Sequence, residues 1–358
     1  MRFVVKTLGV LVVVALGITA FAYLTSTVDP VVWTPTHNPG LSGDFAANTK
    51  LDSLDKYLQG QVDGPEDITR GPDDMYYTGS QNGMIVRFAI GGEPQDFINT
   101  GGRPLGMQFD ANGNLIVADS FMGLISIAPN KDITVLADSV NGKKMIFVDD
   151  LDIAADGIIW FSDASQRFDQ HNFVYDFIEA RATGRLLSYN PATKALKVEL
   201  DDLFFANGVA LGPNDSFVLV NETGAAKIHR LWLKGSKAGT RDLFFDGLPA
   251  GPDNLSFNGS DTFWVALPLL RQAATDGLAG NVFIRKLLGA LPASVLESSM
   301  DTYGQFVGLD VDGNVKYNIQ SGAGHFHTVT SVNQFGDNLL IGSLRMNAVG
   351  VYPLELLE

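Results

Sequence analysis

Residues 107–129 read MQFDANGNLIVADSFMGLISIAP. A short apolar strand runs into Asn112-Gly113, a dipeptide that readily takes the positive φ angles of a tight hairpin turn, and a second apolar strand follows. The same order of strand, turn and strand returns from Asp67 (DITRGPDDMYYTGSQNGMIVRFAI), Leu151 (LDIAADGIIWFSDAS), Val209 (VALGPNDSFVLVNETGAAKIHRLWL), Leu255 (LSFNGSDTFWVALP) and Ser331 (SVNQFGDNLLIGSLRMNAVGVYPL). Six hairpins spaced by roughly 40 to 75 residues match four-stranded propeller blades with insertions. A β-sandwich would spend its seven to nine strands on about 100 residues and would not keep this period. The expected fold is all-β, a six-bladed β-propeller over residues 59–358.

A formal net charge of −15 withholds the clustered Lys and Arg that a phosphate backbone requires, so no nucleic-acid partner is expected and a cation is the more natural guest. With no cysteine in the chain, disulfides, thiolate metal sites and a cysteine nucleophile are excluded. At the N-terminus Arg2 and Lys6 precede an uncharged apolar run that reaches about Leu24. Residues 1–26 therefore read as a signal peptide or a transmembrane anchor. Ala20-Phe21-Ala22 offers a small-x-small cleavage pattern, while the length of the run suits a bilayer span and tips the balance to an anchor. The propeller would then lie outside the cytoplasm, or be secreted or periplasmic if the segment is cleaved. Residues 27–58 read as a connector.

Two segments break the rhythm. QRFDQHNFVYDFIEARAT (residues 166–183) interrupts the third blade, and residues 269–300, with helical spacing in IRKLLGAL, follow a strand of the fifth. Long insertions in a repetitive fold tend to cover its binding face, and the second is expected to be a partly helical lid that also touches a membrane.

Before or at the start of four blades stand GPEDI with Glu66, FVDDL with Asp149 and Asp150, FANGV with Asn207, and GPDNL with Asp253 and Asn254. The innermost strand of each propeller blade lines the central channel, so equivalent positions converge near the axis. Oxygen-bearing side chains from four blades make a hard-cation site, best suited to calcium, which takes six to eight flexible oxygen ligands; magnesium is the alternative. A divalent ion would also explain how the three carboxylates of Asp149, Asp150 and Asp152 stand together at the head of an apolar strand. Alternation along that strand favours Asp149 over Asp150 and Asp152 as the ligand.

GRPLGMQFDANGNLIVADSFMGL, FVDDLDIAADGIIWFSDAS, GRLLSYNPATKALKV, FANGVALGPNDSFVLVNETGAAKIHRLWLKG and LPAGPDNLSFNGSDTFWVAL, in this order, resemble the strictosidine-synthase-like and adipocyte plasma-membrane-associated-protein-like family. The resemblance covers about residues 60 to 354. More distantly the chain resembles paraoxonases, gluconolactonases and diisopropyl-fluorophosphatase, six-bladed propellers with a catalytic calcium. It implies that Glu66, Asp149, Asn207 and Asp253 are calcium ligands, with Asn254 beside them. Two departures stand out. Asp149-Asp150 replaces the relatives' Asn-Asp, which should tighten metal binding, and Leu105 stands where paraoxonases carry a histidine. Among the remaining histidines, His325 and His327 would share one face of an extended segment, whereas His37 and His229 look incidental.

These readings converge on a calcium-dependent hydrolase of small apolar lactones, aryl esters or phosphotriesters, in which Asp253 is nucleophile or base and Glu66 holds the metal. The alternative is a non-catalytic ligand- or protein-binding propeller with a structural calcium. A third, carbon-nitrogen condensation of the strictosidine-synthase type, lacks an identifiable catalytic glutamate.

Overall fold

A computed structural model describes residues 2–298 and 302–357, with residues 2–13 described by backbone alone. Two compact units emerge. One comprises residues 36–170, 182–271 and 301–358, and the other residues 1–35, 171–181 and 272–300.

The larger unit is a six-bladed propeller. Its blades are four-stranded antiparallel sheets, and the first strands of blades one to six are Ile68–Arg70, Pro104–Phe109, Val148–Ile153, Ala206–Leu211, Leu255–Phe257 and Val329–Phe335. Each of these strands packs against the first strands of the two neighbouring blades, so the six close into a ring around the axis. The sixth blade takes its outermost strand, Asp55–Tyr57, from the opposite end of the chain, where Lys56 pairs with Gly350. This strand lies inside the segment expected to be a connector. Leu51, also from that segment, is fully buried beside Trp264 and Phe306.

Strand alternation builds the core. In Phe263–Ala266, Phe263 and Val265 face the cluster shared with blade four, and Trp264 and Ala266 face the cluster shared with blade six. The same division at Ile159 and Phe161 against Trp160 separates the clusters on the two sides of blade three. Six such apolar layers lie between the six blades.

The smaller unit gathers the N-terminal helix Arg2–Thr25, the short helix Val174–Glu179 from the insertion in blade three, and the helices Ala273–Gly277, Val282–Leu288 and Ala293–Glu297 from the insertion in blade five. Its hub is Arg285, a buried guanidinium that donates to the carbonyls of Ile178, Ala279, Val31 and Glu179 at 2.7–2.8 Å. Asp29 N–H in turn donates to the buried Glu179 Oε1 at 2.7 Å. The helical spacing read at IRKLLGAL is thus present as a helix. Residues 299 and 300 of the expected lid lie outside the described residues. The signal or anchor segment coincides with the helix Arg2–Thr25. Among the described residues no helix is long and apolar enough to cross a membrane, and the side chains of residues 1–13 of that segment lie outside them.

Candidate functional site

A local irregularity aims the site. In blades two, three, four and six the pairing of the first strand slips between Pro104 and Met107, Val148 and Leu151, Ala206 and Val209, and Val329 and Ser331. A bulge re-aims side chains that strict alternation would turn into a blade face. Counting back from the apolar residues Ile68, Met107, Leu151, Val209, Leu255 and Val332 of the six inner strands, Glu66, Leu105, Asp149, Asn207, Asp253 and Thr330 stand at one level. Asp67, Gly106, Asp150, Gly208, Asn254 and Ser331 stand at the next. Gly106 and Gly208 are required by space, since a Cβ would come within 2.4 Å of Asp150 Oδ1 at the first and 2.5 Å of the Asp253 carbonyl at the second.

The first level holds three carboxylates and one amide. Glu66, Asp149 and Asn207 are buried and Asp253 is half-buried, so Asp253 is the carboxylate of this level with residual access to solvent. Burial, followed by repulsion from Asp253 and Asp149, holds Glu66 protonated well above the usual carboxylate range. Burial, with repulsion from Asp253, does the same to Asp149, and the neighbouring Arg103 guanidinium opposes it. Burial lifts Asp253 to about 7, against a hydrogen bond from the Asn207 amide. Asn254 Nδ2 donates to Glu66 Oε1 at 2.7 Å.

These groups are not satisfied among themselves. Glu66 Oε2, Asn207 Oδ1 and Asn254 Oδ1 are buried and accept no hydrogen bond. Three orphaned oxygens beside mutually repelling carboxylates match the donor chemistry of an oxygen-liganded cation. Among the described residues no three carboxylates or imidazoles form a metal cluster by themselves, so any ion here would draw on the two amides as well.

The carboxylates of the second level, and polar side chains further along the inner strands, have a different use. Asp150 Oδ2 accepts from Val209 N–H at 2.8 Å and Asp152 Oδ2 from Leu211 N–H at 2.8 Å, both in the next blade. Asp67 Oδ2 accepts from Met107 N–H at 3.1 Å, and Asn333 Nδ2 donates to Asp67 Oδ1 at 2.7 Å. Gln108 Oε1 accepts from Ile153 N–H at 2.8 Å. Side chains of one inner strand therefore stitch the backbone of its neighbour around the axis. Burial pushes Asp152 up to about 6 despite these bonds. A cavity of ≈ 180 Å³ is lined by this part of the channel, including Asp67, Asp150, Asp152 and Ser256. It is smaller and more polar than pockets that enclose organic ligands, which run to several hundred Å³.

The VDDLD stretch thus divides its labour, Asp149 joining the carboxylate level while Asp150 and Asp152 lock blade three to blade four. The histidines stand elsewhere. Residues 322–327 form a turn rather than an extended segment, with His325 exposed, Phe326 buried and His327 Nδ1 2.9 Å from Thr328 Oγ1. His229, read as incidental to the site, is buried in blade four with Nε2 2.7 Å from Glu222 Oε2, a pair within that blade. Arg103 escaped the reading of the sequence. Two residues ahead of the first level, the six blades carry Gly64, Arg103, Phe147, Phe205, Gly251 and Thr328, and a single charge among these positions was the available signal.

Family models match twice, "Strictosidine synthase" over residues 149–236 and "Strictosidine synthase-like, N-terminal" over residues 43–88. The adipocyte plasma membrane-associated protein of Rattus norvegicus is 35% identical over 290 residues, covering 75% of this chain and 77% of that protein. This chain belongs to the strictosidine synthase-like family. Strictosidine synthase-like protein 4 of Arabidopsis thaliana is 30% identical over 328 residues, with 88% and 85% covered. Among solved structures, a gluconolactonase from Xanthomonas campestris shares the fold with a TM-score of 0.62 at 15% identity, covering 91% of this chain and 96% of the other. A calcium-binding regucalcin from Agrobacterium tumefaciens has a TM-score of 0.58 at 13% identity, with 90% and 95% covered. The strictosidine synthase-like chain is thus a propeller of the architecture found in gluconolactonases and regucalcin.

Proposed function

We propose that this family member is a calcium-dependent hydrolase of small apolar esters or lactones, with phosphotriesters as a further substrate class. The observation that carries the reading is the level of Glu66, Asp149, Asn207 and Asp253, whose buried, mutually repelling carboxylates lie beside three unbonded oxygens. Glu66, Asp149, Asn207, Asp253 and Asn254 would hold the ion. When bound, it supplies Lewis acidity toward a carbonyl or phosphoryl oxygen and offsets the carboxylate repulsion. Asn254 orients Glu66 by its hydrogen bond, and Asn207 orients Asp253. Asp253, with solvent access and a pKa of about 7, takes the proton of an attacking water near neutral pH or attacks directly. The gluconolactonase fold of the Xanthomonas campestris protein agrees with this reading at the level of architecture.

The test is turnover of a panel of aryl esters and lactones by the full chain with calcium and with a chelator. Chelator-sensitive hydrolysis that Asp253→Asn removes is expected. No turnover, with a large chelator-induced loss of stability, would instead make the ion a brace and the protein a binding propeller. That second reading is favoured by one observation, the near-complete burial of Glu66, Asp149, Asn207 and Asn254.

The same reading keeps the propeller outside the cytoplasm and holds it to a membrane through residues 1–26. Support comes from the smaller unit, where Phe21 and Leu24 are exposed, as are Phe283, Leu291 and Val295 of the fifth-blade insertion. Tyr23 stacks on Phe283 with ring centroids 5.5 Å apart, so helix and insertion offer one apolar surface. Flotation with phospholipid vesicles checks this, and Phe283→Asp with Val295→Asp should weaken it.

A further inference from the structure

We infer that Arg103 is an anion-binding residue, and that the site beside the carboxylate level takes a ligand carrying a carboxylate or phosphate oxygen on an apolar body. Arg103 is 1% exposed, yet its guanidinium makes a single hydrogen bond, from Nη2 to the Gly64 carbonyl at 2.8 Å. Nε and Nη1 are buried without an acceptor. Guanidinium donors buried without acceptors are costly, and their planar fork suits the paired oxygens of a carboxylate or phosphate.

The surrounding protein cannot supply that acceptor from Asp119. Its Oδ1 already accepts from the backbone N–H groups of Arg103, Phe121 and Met122 at 3.0 Å, and its Oδ2 from Thr100 Oγ1 at 2.7 Å. Asp63 is exposed, while Glu66 and Asp149 interact with Arg103 through charge without a hydrogen bond to it. Arg103 therefore stands as a fixed positive charge with two free donors next to the acidic level. At the equivalent positions of blades three and four, two residues ahead of the first level, stand Phe147 and Phe205, whose buried rings meet edge to face with centroids 5.3 Å apart. A guanidinium with two open donors, with aromatic side chains at the equivalent positions of two other blades, favours a ligand that is anionic at one end and apolar at the other.

This inference does not depend on hydrolysis. The experiment is calorimetric titration of the full chain, with calcium present, against benzoate, its neutral isostere benzamide, and inorganic phosphate. Benzoate should bind at least tenfold more tightly than benzamide, and Arg103→Lys and Arg103→Met should each weaken benzoate binding tenfold or more. Phosphate binding that Arg103→Lys also removes would mean that the oxyanion alone is recognised and would overturn the apolar half of the assignment if benzoate binds no better. Equal binding of benzoate and benzamide to the wild-type protein, or unchanged benzoate affinity in folded Arg103→Met, would overturn it. If the variants fail to fold, the comparison of benzoate with benzamide on the wild-type chain decides when it is repeated in a chelator, which removes the ion as an alternative partner for the carboxylate: a preference that persists supports the assignment and one that vanishes overturns it. A protein that hydrolyses nothing yet shows the Arg103-dependent anion preference retains this site without the proposed activity.

Discussion

Asn254 donates from Nδ2 to Glu66 Oε1 at 2.7 Å, joining residues 188 positions apart and linking the fifth blade to the first past the intervening sixth. The bond fixes one oxygen of a buried carboxylate and leaves the other, Oε2, unbonded. Asn254→Leu removes both the orienting donor and a candidate ligand oxygen. Loss of such a supporting group costs metal sites about 10- to 100-fold in affinity. A calcium titration against a chromophoric chelator should show a weakening of that order, and an unchanged affinity would separate Asn254 from the metal.

Asp253 is the carboxylate that the proposed chemistry consumes and regenerates. Asp253→Asn preserves the volume and the contact with Asn207 but cannot take a proton. Hydrolysis should fall by about 100- to 10,000-fold, the range for loss of a general base, with calcium binding retained in weaker form. On the proposed chemistry, kcat/KM of the wild-type protein should rise with pH as Asp253 ionises, with its midpoint moved below the metal-free value of about 7 by the bound ion. A pH profile that Asp253→Asn leaves unaltered would remove this residue from the mechanism.

The raised carboxylates also dictate how the chelated protein responds to pH. Asp152 and Asp163 are pushed up to about 6 and Asp253 to about 7, each chiefly by burial. A carboxyl group that holds its proton more tightly when folded contributes stability that is present below its unfolded pKa of about 4 and is lost as pH rises through the folded value. Between about pH 4 and 7 these groups therefore destabilise the metal-free propeller progressively. In a chelator, Tm should drop by about 5 °C or more from pH 5 to pH 8, and saturating calcium should flatten the profile because it favours the ionised level. A chelated Tm that climbs over this window would contradict the burial of these charges.

The propeller was legible because its signals are local and repeated. Asn112-Gly113 and Asp156-Gly157 mark hairpins by turn chemistry alone, and four further copies of the strand pattern leave few other folds. The level of Glu66, Asp149, Asn207 and Asp253 was legible for the same reason, as one position recurring at the heads of blades. What escaped depends on contacts between distant residues. Nothing near Arg103 in the chain announces that its guanidinium reaches the Gly64 carbonyl in another blade. Likewise, the use of Asp150 and Asp152 as stitches requires knowing that Val209 and Leu211 lie alongside them. The extended segment expected at His325 and His327 failed on a third ground: Gly324, with φ of +67°, turns the chain just before them, and buried Phe326 sets its direction.

Leu51 tests where the propeller begins. Residues 27–58, with prolines at 30, 35 and 39, read as a connector, yet Leu51 is fully buried against Trp264, Phe306 and Ile319, and Asp55–Tyr57 closes the sixth blade four residues later. A ring of blades is held shut where its two chain ends meet, so side chains that seat the N-terminal strand act on the stability of the whole ring. Leu51→Ala removes a large apolar side chain from a site walled by the fifth and sixth blades, where collapse around the cavity is restrained. Unfolding in urea should register a loss of about 2–5 kcal/mol, as for other buried leucines. A loss below about 0.5 kcal/mol, the level of an indifferent surface change, would show that this segment is a tether after all.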